Sequence, residues 1–148
     1  MARKIKLLLD SNIVIDFLAK REPFYESAEK LMLLGMTGDL ELWVSTTQAN
    51  DIFYVLGKGR KSEAELVKQK MRKLKTFMRF CGLNEEHFLN VLDSSWLDLE
   101  DACVHEVAVY LSADAIITRN KKDFAKSIIP VYDCDEFFQH MKTKGAEY

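Results

Sequence analysis

The sequence predicts an α/β protein in which a parallel sheet is covered by helices on both faces. Three observations predict it. Short apolar runs of strand length recur along the chain, mostly continuous rather than alternating, as expected for strands buried on both sides. Segments with helical periodicity lie between them, the pattern that produces parallel crossovers. The 148 residues, 48% apolar and 30% charged, have an ordinary globular composition. A chain of this size buries roughly two thirds of its unfolded surface and makes a core without disulfide or metal.

The elements follow in order. Ile5–Leu9 is the first strand and stops at Asp10, and a helix begins around Ile13. The next helix has Pro23 in its first turn, carries Tyr25, Ala28 and Leu31 to Leu34, and stops at Gly35. Leu40–Val44 is a second strand ending in Ser45-Thr46-Thr47. A long helix after Ser62 places Val67, Met71, Leu74 and Met78 at i, i+4, i+7 and i+11, one apolar stripe. Another helix starts near Asp98 and runs through Ala102, Val107 and Leu111. Ala115–Ile117 ends at Thr118-Arg119-Asn120, and Ile128–Tyr132 ends at Asp133. No repeat, low-complexity stretch or Pro/Gly-rich linker intervenes, so residues 1–148 read as a single domain.

Composition narrows the function classes. A net charge of −2 argues against a protein held on nucleic acid by charge alone. Cys81, Cys103 and Cys134 are widely spaced and odd in number, which argues against a zinc site or disulfide framework. They read as reduced thiols that pack as small hydrophobes in a cytoplasmic protein. The amino terminus has a basic start and an apolar run, but Asp10, Asn12 and Asp16 interrupt it. No uncharged stretch approaches the ~18 residues of a membrane span, so no membrane partner is expected.

The acids carry the chemistry. In open parallel sheets, ligands bind beyond the carboxyl ends of the strands. Asp10 follows the first strand, the natural central one, and Asp123 lies in the loop after the Ala115 strand. Asp51 comes about two turns after the second strand, and Asp98 and Asp101, three apart at a helix start, share one face. Carboxylates gathered at one edge repel each other unless a hard cation such as Mg²⁺ or Mn²⁺ joins them. With no His or Cys constellation, this pattern points to metal-assisted phosphodiester chemistry.

Each acid also has a simpler reading. Asp10 could cap the helix at Ile13, a role Asn12 fills equally well, Asp98 could be another N-cap, and Asp123 a turn residue. Asp16 reads as a solvated helix carboxylate. His87, His105 and His140 show no metal spacing. A phosphatase-like enzyme using Asp10 as nucleophile would want a second Asp two residues on, where Asn12 stands.

LLLDSNIVIDFL resembles the opening of PIN domains, where an apolar strand ends in Asp-(Ser/Thr)-Asn. LDLEDACVHEVAVYLSADAIITRNKKDF resembles their second half: an Asp-led helix, a strand, then a Thr-Arg-(Asp/Asn)-x-x-Asp-Phe loop. REPFY at Arg21 to Tyr25 and the IPV-like last strand resemble a bacterial subgroup, and the similarity is collinear from Ile5 to Phe137. The resemblance implies an α/β/α sandwich around a parallel sheet and a Mg²⁺/Mn²⁺-dependent endoribonuclease acting on RNA. Small free-standing members are typically VapC-like toxins of type II toxin–antitoxin pairs, which implies an antitoxin partner.

Carried over by motif, Asp10 is the first acid, Asp51 (or Asn50, one residue out of register) stands at the second, Asp101 is the third and Asp123 belongs to the Asp-Phe pair. Ser11 and Asn12 would shape the first loop, and Thr118 would orient the cluster by hydrogen bonding. Two departures matter. The second acid is usually Glu, so Asp51, one methylene shorter, reaches a metal through water or not at all. Asn120 stands where Asp is common, removing a charge that Asp98 would supply as a further metal carboxylate. The alternative is a catalytically weakened PIN-like module that binds RNA or protein without cutting.

Between Lys58 and Arg79 the chain has nine Lys/Arg against two Glu, and Lys68, Arg72, Lys75 and Arg79 are expected on one helical face. That face is either solvated, or a patch that tracks an RNA backbone, or a dock for an acidic antitoxin tail. Phe53, Tyr54 and Trp96 read as core residues or as the interface of a homodimer, ahead of base-stacking platforms.

Overall fold

Strand β1 (Ile5–Leu9) is the spine of the structure, a computed structural model that describes residues 3–148. It pairs in parallel with β2 (Leu40–Ser45), Ile5 opposite Leu40, and the third strand, β3 (Met78–Cys81), lies beyond β2. On its other side β1 pairs with β4 (Ala115–Ile117), Leu7 opposite Ala115, and β5 (Val131–Tyr132) closes that edge. All pairings are parallel and the order is β3-β2-β1-β4-β5.

The helices are α1 (Ser11–Leu18), α2 (Tyr25–Thr37), α3 (Ala49–Gly57), α4 (Ala64–Leu74), α5 (Glu85–Leu92), α6 (Leu99–Leu111) and α7 (Cys134–Thr143). Successive strand side chains point to opposite faces. Leu7 and Leu9 enter a core with Ile13 and Val14 of α1, Leu31 of α2, Ile52 of α3, Met71 of α4 and Phe137 of α7. Leu8 and Ile116 point the other way, against Val104, Val107 and Ala108 of α6. α5 joins that second layer through Val91, which packs with Ala102 and Cys103. The result is the α/β/α sandwich with a central parallel sheet. Leu7, Leu8 and Leu9 have no exposure, and burying each contributes roughly 1.5–3 kcal/mol. The strand that presents Asp10 is therefore firmly held.

Several local expectations are corrected. α4 ends at Leu74, and Met78 opens the edge strand β3, paired with Leu42. Its place at i+11 fitted the helical stripe because strand and helix bury side chains in the same core. Arg79 consequently leaves the helix. It lies opposite Trp43, with its guanidinium carbon 5.6 Å from the Trp43 ring centre, so Lys68, Arg72, Lys75 and Arg79 do not form one helical face. Gly35 lies inside α2, where a Cβ would stand 2.5 Å from Leu42 Cδ1; glycine lets the helix lie close on β2. The helix stops at Gly38, whose φ of +82° suits a left-handed C-cap. Pro23 precedes α2 rather than opening it, and the last strand shrinks to Val131–Tyr132, with Ile128 exposed. Asp16 is not solvated. It is fully buried and ion-paired with Arg119, Nε to Oδ2 2.7 Å.

Cys81, Cys103 and Cys134 are free thiols, and burial pushes Cys134 up to about 12. No helix among the described residues is long and apolar enough to cross a membrane.

Candidate active site

From β1 the chain builds β2 and β3 outward on one side, then returns to lay β4 on the other side of β1. The carboxyl ends of β1 and β4 therefore flank the switch point of the sheet, the place where open α/β sheets bind ligands. Asp10 and Thr118 are the first residues past those two ends.

Asp10 is the N-cap of α1, so the simpler reading of its role holds, and its carboxylate also gathers donors from three parts of the chain. Oδ1 accepts from Ser11 N–H at 2.8 Å and from Gln48 Nε2 at 3.2 Å. Oδ2 accepts from Thr118 Oγ1 at 2.8 Å and from Asn12 Nδ2 at 3.4 Å. Burial raises the Asp10 pKa; bonds from Thr118, Ser11 and Gln48 pull it down, and the Asp123 charge adds to the rise.

Gln48 was not among the predicted site residues. It is fully buried, its Nε2 also donates to Ser11 Oγ at 3.1 Å, and its Oε1 accepts from Ser45 N–H at 2.9 Å. The Ser45-Thr46-Thr47-Gln48 sequence is a capping box, a signal that marks the turn and could have found it.

Thr118 is buried, and its hydroxyl both donates to Asp10 and accepts from Asn120 N–H at 3.0 Å. Asn120 begins a short 3-10 turn, Lys121–Phe124, that exposes Asp123, whose N–H donates to Asn120 O at 3.0 Å.

The facing wall is the first turn of α6. Asp98 caps it, one carboxylate oxygen accepting from Asp101 N–H at 3.0 Å. Asp101 is half-buried and its pKa is pushed up to about 6, first by burial and then by the charges of Asp98, Asp10 and Asp123. Those four carboxyls therefore share one electrostatic neighbourhood. Asp51, exposed in the first turn of α3, meets Glu100 instead. The hydrogen bond between them, with burial and the Asp51, Asp98 and Asp101 charges, pushes Glu100 up to about 7. Glu100 was missed in the sequence, although Asp98-Leu99-Glu100-Asp101 puts three acids within one helical turn.

The remaining candidates lie elsewhere. Lys68 and Arg72 reach loosely to Glu65, at 3.8 and 4.0 Å, on the exposed side of α4. Lys75 and Arg79 line a depression with Lys4, Gly38 and Leu40 at the amino ends of the strands, opposite the carboxylates. Phe53 and Tyr54 are exposed on α3, while Trp96 packs on His105 (4.7 Å between ring centres) and Phe124 (5.9 Å). His105 Nε2 accepts from Ile128 N–H, a structural bond.

Among the described residues no three His, Cys, Asp or Glu side chains stand close enough to hold an ion unaided. The donor set still fits a hard divalent cation that keeps part of its water shell: oxygen ligands only, with mutual repulsion that such a charge would relieve.

The sequence pattern of the PIN-domain family matches residues 6–122. No curated protein matches the chain in sequence. Solved structures do match in fold. VapBC2 from Rickettsia felis, bound to a DNA fragment from its promoter, superposes with a TM-score of 0.65 at 15% identity over 87% of this chain and 98% of that one. A toxin–antitoxin complex from Klebsiella pneumoniae gives 0.63 at 24% identity, covering 86% and 97%. VapC20 from Mycobacterium tuberculosis, a sarcin-ricin loop cleaving toxin, gives 0.58 at 13% identity, covering 74% and 86%.

Proposed function

Because this chain belongs to the PIN-domain family, we propose that it is a metal-dependent endoribonuclease that hydrolyses RNA phosphodiester bonds, and the toxin of a toxin–antitoxin pair. The observation that carries the reading is Asp10: a carboxylate at the switch point of the sheet, held by Ser11, Asn12, Gln48 and Thr118 in the electrostatic field of Asp123 and Asp101. So many donors around one half-buried carboxylate fix its direction, as a metal ligand requires.

Asp10, Asp101 and Asp123 would hold Mg²⁺ or Mn²⁺, with Asp98 adding charge and Asp51 acting at a distance through Glu100. When bound there, the ion supplies a Lewis acid that polarises a phosphodiester and makes water more acidic. The chain's own groups do the rest. Ser11, Asn12 and Thr118 orient Asp10, Asn120 orients Thr118, and Glu100 adds a further carboxyl beside Asp51.

Neighbours of like fold that are toxin–antitoxin complexes support an antitoxin protein as partner; RNA as substrate, a second copy in a homodimer and a cytoplasmic setting are part of the same proposal. A second reading, a PIN-like module that binds RNA or protein without cutting, is favoured by Asp51, which meets Glu100 rather than Asp10, and by the uncharged Asn120. Incubating the protein with total RNA and Mn²⁺ separates the two. Cleavage that EDTA stops and Asp10→Asn abolishes supports the nuclease. RNA bound but left intact supports the binding module, and cleavage that survives in Asp10→Asn refutes the assigned site.

A further inference from the structure

Asn12 and Asp16 stand one turn apart on the same face of α1, and both hold Arg119. Asp16 Oδ2 accepts from Arg119 Nε at 2.7 Å and Oδ1 from Nη2 at 3.1 Å, a two-pronged pair. Asn12 Oδ1 accepts from the Arg119 backbone N–H at 3.5 Å, and the guanidinium carbon lies 3.9 Å from the centre of the Phe24 ring. Arg119 thus has its backbone, its charge and its flat face all engaged.

Its neighbours in the chain explain the placement. Sheet bonding reaches as far as Thr118, whose N–H donates to Tyr132 O. Beyond it the chain turns away to carry Asn120 and Asp123. The Thr118 hydroxyl donates to Asp10 and accepts from Asn120 N–H, and Asn120 O accepts from Asp123 N–H. Arg119 sits in the middle of this relay. For stability alone a buried ion pair is a poor device, since desolvating the charges offsets most of their attraction and an apolar pair does as well. A bidentate guanidinium does fix direction.

We propose that Arg119 is a positioning residue: gripped by Asp16, Asn12 and Phe24, it locks the Thr118–Asp123 loop onto α1 and so sets Thr118 Oγ1 and Asp123 against Asp10. The functional half of this inference rests on the reading of the Asp10 cleft as a metal site. The Arg119 guanidinium is taken up by Asp16 and the Phe24 ring. The residue acts through the loop it holds.

Two variants test it. Arg119→Lys keeps the charge beside Asp16 but loses the fork and the flat face. Asp16→Leu combined with Arg119→Met removes both charges, so neither is left buried alone, and the fold is retained. The readouts are amide hydrogen exchange at Asn120 and Mn²⁺ affinity, taken from the dependence of Tm on Mn²⁺ concentration. In both variants the Asn120 amide should exchange at least ~10-fold faster at little change in Tm. Mn²⁺ should bind about ten-fold more weakly, the usual consequence of losing an outer-shell partner. An Asn120 amide as protected in the double variant as in the wild type overturns the proposal. So does unaltered Mn²⁺ affinity once that amide has been freed. Fast exchange in the variants beside a wild type that binds no Mn²⁺ upholds Arg119 as the tie of the loop and removes the metal reading instead.

Discussion

On the β1–β4 side of the cleft Asp10 receives four hydrogen bonds, from Ser11, Asn12, Gln48 and Thr118, whereas on the α6 side Asp98, Glu100 and Asp101 crowd into one helical turn, with Asp51 of α3 beside Glu100, and repel. Both walls raise carboxyl pKa values, for different reasons. Asp10 is raised by burial, against the pull of its donors. Glu100 is raised foremost by its hydrogen bond with Asp51, and Asp101 by burial together with three neighbouring charges. The first wall holds its geometry without help. The second waits for a positive charge or a proton. Preorganisation and charge strain are thus divided between the two faces of one cleft, and substitutions on the two should move stability in opposite directions.

The largest expected effect is on the strained wall. Asp101→Asn removes a charged group without changing shape, and RNA cleavage should fall at least ~100-fold, measured as single-turnover rate with Mn²⁺. The same variant relieves repulsion, so the metal-free protein should melt at a higher temperature than the wild type. A lower metal-free Tm would mean that Asp101 is held by favourable contacts and that the wall is not strained.

On the preorganised wall, Thr118→Val deletes the donor to Asp10 and the acceptor for Asn120 N–H at a buried position. Losing such a bond costs about 1–3 kcal/mol in unfolding free energy, and Mn²⁺ affinity should drop about ten-fold. Unchanged denaturant unfolding would show that the hydroxyl carries no weight there.

How much of this arrangement the sequence discloses differs between the walls as well. Asp10 and Thr118 stand at strand ends and Asp101 at a helix start, where an abrupt change from apolar to polar residues marks the place in the chain, and Asp123 is marked by the Asp-Phe motif in the loop after β4. The β3 strand was illegible because Met78 continues the apolar spacing of α4, and both elements feed one core. Asp16 was misread because an acid in a helix is normally solvated, and its partner Arg119 lies 103 residues away. Gln48 and Glu100 act through contacts that close only in three dimensions: the first reaches Asp10 from 38 residues off, the second meets Asp51 from another helix. Local patterns disclose elements and their ends. Pairings across the fold do not show in them.

A smaller effect concerns pH. A carboxyl with a higher pKa folded than unfolded binds its proton more tightly in the native state. Its penalty on stability is therefore full above the folded pKa and disappears towards the unfolded value. For Glu100 (about 7) and Asp101 (about 6) the metal-free protein should gain stability as pH falls from 8 towards about 4.5, against unfolded values of roughly 4. Glu100→Gln should flatten the upper part of that rise and raise the metal-free Tm at pH 8. Thermal melts across this range in EDTA check both. A Tm that falls steadily with acid in wild type and variant alike would place the strain elsewhere.

The smallest effect is expected outside both walls, on the basic residues. Lys68 and Arg72 project from the exposed side of α4, loosely tied to Glu65, and are free to follow an RNA backbone. Lys75 and Arg79 sit at the amino ends of the strands, on the far side of the sheet from Asp10, and Arg79 is spread over Trp43. An RNA strand lying in the cleft would have to round the edge strand β3 to touch them. Changing Lys68 and Arg72 to Gln should therefore flatten the salt dependence of RNA binding by about 0.7 in log–log slope for each lost single-strand phosphate contact. Changing Lys75 and Arg79 to Gln should leave the slope as it is. Fluorescence anisotropy with a short single-stranded RNA at several salt concentrations measures both pairs. Equal losses would mean that the RNA path runs the length of α4 and past β3. No loss in either would return the whole segment to solvent, with the carboxylate walls untouched by the outcome.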